Sequence, residues 1–264
     1  MSAQRWRDRR DVYRPAGETI RTAAYDVEPI ADDRTARAFV ERHHYSGTYP
    51  AARFRVGLYR RAELVGVAVF SHPCNDRVLT NVFPRLSARD AVELGRFVLL
   101  DEVPANGETW FLARAFDVLR AAGIRGVVSF SDPVARTDVH GRRLFAGHLG
   151  TIYQAHNARF LGRGDGRTLT LLPDATVFSH RAACKIRAGA RGWRYASAQL
   201  VAYGAQPLEE DADRPGREAW LRRWLSALTR RLRHPGCYRY AWGLDRRVEL
   251  PDGARYPKAL EVAA

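Results

Sequence analysis

The chain has 264 residues, 46% of them hydrophobic and 11% aromatic, which is enough to bury one or two sizeable cores without staples and too apolar for a disordered chain. It carries 43 Lys and Arg against 29 Asp and Glu, a net charge of +14 that is mostly arginine, so nucleic acid is the leading partner class. Cys74, Cys184 and Cys237 are odd in number and far apart, which argues against a disulfide framework or a zinc ribbon and points to a reducing cytoplasm. The charged stretch from Met1 to Arg10 does not resemble an export signal, and the longest apolar run, Val65 to Phe70, is too short for a membrane span.

Residues 1–28 alternate Arg, Asp and small residues without a period and read as a flexible basic arm, closing with a strand at Thr22 to Val27. Asp32 and Asp33 are placed to cap a helix whose apolar face is Ala36, Phe39 and Val40 and which runs out at His43, His44 and Tyr45. Arg53 to Arg60 alternates polar with apolar residues, and after Arg61 to Glu63 the run Leu64 to Phe70 follows, a β-hairpin pattern. Val92 to Leu100 reads as a strand, Pro104 to Gly107 as a loop, and Glu108 opens a helix with core positions Leu112, Phe116 and Leu119. Gly123 ends that helix before the strand Ile124 to Ser131, and strand, loop, helix, strand in this order makes a βαβ unit with parallel strands.

The stretch Gly150 to Gly162 reads as a short helix offering Tyr153 from its first turn. Thr168 to Leu172 reads as a strand, and Ser179 caps a helix carrying Arg181, Lys185 and Arg187, followed by Arg191, Trp193 and Arg194. An acidic stretch, Glu209 to Asp213, precedes a helix over 215–233 opened by Pro215, and Cys237 to Leu244 alternates like a strand. The expected organisation is a basic arm over 1–28, one α/β domain over 29–175, and a basic, mainly helical extension over 176–264 that closes with a strand.

The hairpin, the strand at Val92, the loop into a helix, the next strand and the Tyr153 helix follow the order of the Gcn5-related N-acetyltransferase fold. That resemblance implies a mixed sheet flanked by helices, with an acyl donor such as acetyl-CoA lying where parallel strands splay apart. It further implies that the backbone of Val98, Leu99 and Leu100 pairs with the pantetheine, and that the segment Asn106, Gly107, Glu108, Thr109 meets the pyrophosphate.

His43 to Gly47, Val65 to Phe70, Arg96 to Pro104, Ser131 to Pro133 and His148 to Gln154, in this order, resemble the bacteriophage Mom family over roughly residues 30–175. Arg239 to Trp242 echo it near the end. These proteins convert adenine in DNA to an N6-carbamoylmethyl derivative and so shield phage DNA from restriction. The resemblance implies catalytic roles for His44, Tyr45, Asp132 and Tyr153, and iron has been suggested for the family, for which His44, Tyr45 and Asp132 are the chemically plausible ligands. Two departures stand out: an insert of about a dozen residues, Val134 to Gly147, which contains Arg142 and Arg143, and a pyrophosphate loop with Gly107 as its one glycine.

The chemistry suits these residues. The exocyclic amine of adenine is a poor nucleophile, so a carboxylate such as Asp132 at the end of a parallel strand is placed to take its proton. Tyr153 is placed to protonate a leaving group, while His44 and Tyr45 are placed to hold an extruded base. Double-stranded DNA is the expected partner, with phosphate contacts from Arg142, Arg143, Arg181, Lys185, Arg187, Arg191 and Arg194. Each residue also has a plainer reading: Tyr153 as core, Asp132 as a turn cap, the histidines as loop residues, the arginines as a solvated face. The functional alternatives are an ordinary acyl-CoA N-acetyltransferase acting on a protein or small amine, and a non-enzymatic DNA-binding module.

Overall fold

The computed structural model describes residues 2–15 and 17–258. Along the chain run β1 (Ser2–Arg7), β2 (Arg10–Pro15), β3 (Tyr25–Pro29), α1 (Asp33–His43), β4 (Ala52–Arg60), β5 (Glu63–Ser71), α2 (Arg77–Thr80), β6 (Ala91–Leu99), α3 (Gly107–Ala121) and β7 (Gly126–Ser131). They are followed by β8 (Arg136–Thr137), β9 (Arg143–Phe145), α4 (Thr151–Ala155), β10 (Arg159–Arg163), β11 (Arg167–Leu171), α5 (His180–Ala188), α6 (Trp193–Val201), α7 (Arg214–Leu228), β12 (Arg230–His234) and β13 (Tyr238–Gly243). The described residues form two units: one from 2–134, 145–165 and 236–258, the other from 135–144 and 166–235. These units cut across the partition at residues 28 and 175 expected from the sequence.

The first unit is a mixed sheet in the order β10-β13-β7-β6-β5-β4-β3, in which β6 and β7 are parallel and the other neighbours antiparallel. Helix α3 seals one face: Phe111, Leu112, Phe116 and Leu119 are fully buried against Val92, Leu94, Phe97 and Val127. Burial of each such side chain contributes about 1.5–3 kcal/mol. Ala36 and Val40 of α1 pack on Val67 and Val69 of β5, and Asp32 caps α1 by accepting from the Thr35 N–H, as its sequence position suggests. The α/β sheet flanked by helices is the arrangement the sequence implied.

The central opening arises where β6 and β7 part. Their ladder runs from Ala91–Gly126 to Leu94–Ser129 and stops, although both strands continue. Across β5, Val69 faces Arg96 and Phe70 faces Leu94, which leaves Gly95 as an extra, bulged residue at that point. A Cβ on Gly95 would meet Ser71 Oγ at 2.6 Å, so any larger residue at the bulge would push the Ser71 hydroxyl aside.

Several local readings change. Residues 2–15 form an antiparallel hairpin with Arg5 and Trp6 buried, where a flexible arm was expected; alternating charges on a ribbon carry no apolar period. The Tyr153 helix is a single turn that ends at Ala155, because Asn157 takes φ +58°, and Arg159–Arg163 is strand β10. Helix α7 stops at Leu228, before the 233 expected; Thr229 is extended and Arg230–His234 pairs with β11. Strand β13 enters the main sheet between β7 and β10.

The second unit has its own core, in which Leu172, Phe178, Ile186, Leu200 and Leu221 are buried. Ser179 caps α5 through the Ala182 N–H and Asp213 caps α7 through the Gly216 N–H.

Candidate active site

A cavity of about 350 Å³ lies in the first unit at the opening between β6 and β7. Gly95, Phe97 and Phe130 line it from the strands, Tyr153 from α4, His44 and Tyr45 from the end of α1, and Ala105, Glu108 and Thr109 from the head of α3. Gln4, Trp6 and Tyr13 of the N-terminal hairpin and His148 of the loop before α4 complete its walls.

Tyr153 is held by aromatic packing. Its ring meets Tyr240 at 5.4 Å and Trp242 at 5.5 Å, both edge-to-face, and Tyr240 is itself bonded through its hydroxyl to the Leu149 carbonyl. Gly150, at φ +69°, starts α4; a Cβ there would meet the rings of Tyr240 and Tyr153 at 2.8 and 2.9 Å. Burial pushes the Tyr153 phenol up from its ordinary value, opposed by a hydrogen bond with Ser129 and the charge of Arg96. The phenol therefore stays protonated at neutral pH and is a proton donor. Glu93, close enough to act on it electrostatically, is also raised by burial.

His44 is buried, and desolvation, then the charge of Arg96, holds its imidazole well below the ordinary value. The Ser46 backbone N–H donates to Nδ1 at 3.1 Å, which makes Nε2 the protonated nitrogen of the neutral ring. Tyr45 stacks on Phe145 at 4.3 Å and packs against Trp6 at 4.6 Å and the His44 ring at 4.2 Å. An aromatic wall of this kind suits the face of a planar base.

Asp132 is placed differently from its expected partners. It is 8% exposed, its Oδ1 accepts from the Val134 N–H, its carbonyl accepts from the His148 N–H, and it is not among the residues lining the cavity. The structure thus brings His44, Tyr45 and Tyr153 together and leaves Asp132 as the cap of the turn that positions His148. The three residues expected to hold iron are not brought onto one wall, since His44 and Tyr45 line the cavity and Asp132 does not.

The head of α3 is occupied by the chain itself. Glu18 accepts from the Ala105 N–H at 2.9 Å and is gripped by Arg14 at 2.8 Å, which also bonds the Asp101 carbonyl. Arg5 donates to the carbonyls of Leu100, Val103 and Pro104 and pairs with Glu108 at 2.7 Å. Asn106 Oδ1 accepts from the Ile20 N–H. Of the expected cofactor contacts, Glu108 and Thr109 line the cavity; Val98 and Leu99 are buried in the sheet, and the Leu100 N–H is spent on the Val65 carbonyl. The carboxylates of Glu18, against the Ala105 N–H, and of Glu108 do not fit a pyrophosphate at this helix head.

Trp6, Phe145, His148 and the Gly95 bulge escape sequence reasoning. His148 had a signal, lying two residues before Gly150 in the Tyr153 motif. Trp6 had none beyond being the one large apolar residue of its strand.

The residues expected to contact DNA all lie in the second unit. Arg142 is tied to Asp138 at 3.1 Å, Arg194 to Glu210 at 2.8 Å and Arg187 to Glu218 at 3.9 Å. Arg143, Arg181 and Arg191 are exposed and Lys185 is half-buried, and beside Arg191 and Arg194 stands Tyr195, 71% exposed.

Among known proteins, the Mom protein family matches residues 24–214. The Mom methylcarbamoylase of Escherichia phage Mu is 28% identical over 130 residues, 48% of this chain and 49% of that protein, so the chain spans about half the length of the curated relative it matches. Solved structures with a similar course include the aminoglycoside 6'-N-acetyltransferase of Enterococcus faecium, at 10% identity and TM-score 0.37 over 85% of this chain and 99% of that one. An acetyltransferase of Bacillus subtilis in complex with CoA gives 8% and 0.34 over 83% and 98%. Superpositions this loose add nothing to the strand order described above. Among the described residues, no helix is long and apolar enough to cross a membrane.

Proposed function

Since the chain belongs to the Mom protein family by its match over residues 24–214, we propose that it is a transferase that modifies adenine in DNA, placing a carbamoylmethyl group on N6 and so protecting the DNA from restriction. The observation that carries this reading is the cavity at the opening of β6 and β7, where a buried, protonated Tyr153 shares walls with Trp6, Tyr45 and two histidines.

The target base is extruded from the duplex and lies against Trp6 and Tyr45, where the His44 Nε2–H donates to a ring nitrogen. N6 attacks the methylene carbon of the donor; the N6–carbon bond forms as the bond to the leaving group breaks. His148 takes the N6 proton, and the Tyr153 hydroxyl gives its proton to the leaving group, so charge balances across the step. Asp132 acts by fixing the loop that carries His148. DNA is held through its phosphates by Arg142, Arg143, Arg181, Lys185, Arg187, Arg191 and Arg194. The test is mass spectrometry of nucleosides from cells that express the protein: a carbamoylmethylated deoxyadenosine supports the reading, and unaltered nucleosides alongside folded protein refute it.

A further inference from the structure

Glu108 is 3% exposed and lines the cavity from the first turn of α3. Its Oε1 takes the Arg5 guanidinium, while Oε2, equally buried, has no partner among the described residues. A sealed carboxylate oxygen without a donor is costly unless something supplies one, and such oxygens are rare in folded proteins. Around it the carboxylates are already matched, since Glu18 takes the Ala105 N–H and Arg14, and Asp101 pairs with Arg7 at 3.2 Å, which leaves none of these guanidiniums spare for another anion. The segment that fills the helix head lies before residue 24, where the family match begins.

We infer that Glu108 Oε2 is the acceptor for an N–H-bearing end of the transferred group, and that this end of the cavity reads a primary amide in place of a nucleotide diphosphate. The inference rests on the carbamoylmethyl reading, because that group ends in a primary amide with two N–H donors and no charge. An acetyl group of similar size presents a methyl there and leaves Oε2 unpaired. Glu108 thereby discriminates between the two, since a site built to bond an N–H rejects the analogue that lacks it by a large factor.

The variant Glu108→Gln keeps an acceptor for Arg5 and turns the second oxygen into an N–H donor that opposes the substrate amide. Saturation-transfer NMR on the full chain uses acetamide, acetate, pantetheine and coenzyme A as probes. The expected result, read well below the melting temperature of both proteins, is a signal from acetamide with the wild type, at least tenfold reduced in folded Glu108→Gln, no signal from acetate, and coenzyme A binding no tighter than pantetheine. Acetamide binding both proteins equally, or neither, overturns the inference, as does coenzyme A binding tenfold tighter than pantetheine. Nucleoside mass spectrometry on the same two proteins separates the failures. No modified deoxyadenosine from the wild type refutes the function itself, whereas equal modification by both proteins refutes the role of Glu108 alone.

Discussion

Arg5 Nε stands 2.7 Å from Glu108 Oε1 with both side chains nearly sealed from solvent, so the first strand of the chain is locked to the first turn of α3, more than 100 residues away. Removing one member of such a buried pair strands the other charge and costs about 3–5 kcal/mol. Arg5→Ala should lose stability on that scale in urea unfolding and lose DNA modification with it, and a wild-type melting curve for Arg5→Ala would mean the hairpin is dispensable.

Gly150→Ala places a methyl group within 3 Å of two rings at a residue with φ +69°. Strain at such a residue costs about 1–3 kcal/mol. Because the collision displaces Tyr153, modification should fall further than stability does, which parallel unfolding and nucleoside assays would resolve.

How far the sequence carries is visible in these two positions. Gly150 and Tyr153 stand in a recognisable motif, and the β4–β5 hairpin, α3 and β7 announce themselves through apolar periods of two and 3.6 residues. Arg5 and Trp6 do not, because a charged ribbon is fixed by partners remote in sequence and has no period of its own. The end of α7 was obscured for a related reason: Arg230, Arg231 and Arg233 suit a helix face and an exposed strand equally well, and pairing with β11 decides. Asp132 has two readings in the sequence, a base and a turn cap before Pro133, and its bond to the Val134 N–H shows the cap.

Acid should destabilise the protein through its buried histidines. His44 is held well below its ordinary value and His43 and His156 are lowered too, all chiefly by burial. Below about pH 6.5 the unfolded chain binds protons that the folded chain refuses, so stability is full above that pH and falls beneath it, by up to about 1.4 kcal/mol per pH unit for His44 and by less for the half-buried His156 and for His43, which Asp8 opposes. His44→Asn should flatten the pH dependence of urea unfolding between pH 7 and pH 4; an unchanged slope would contradict a neutral His44.

DNA affinity should depend steeply on salt. Arg181→Ala and Arg191→Ala should each weaken binding to all sequences alike and reduce the slope of log affinity against log salt by about 1. Arg142→Ala should change it less, because its guanidinium is already spent on Asp138. Fluorescence anisotropy across a salt series distinguishes the two kinds of arginine.

Tyr153 is the most direct point of test, because its phenol is buried, protonated and braced by Tyr240 and Trp242. Nucleosides from cells expressing the wild type should contain a deoxyadenosine heavier by one carbamoylmethyl group, and Tyr153→Phe, folded and still binding DNA, should reduce that species by about 100-fold or more. Wild-type yield from Tyr153→Phe would contradict the assignment of Tyr153 as the proton donor.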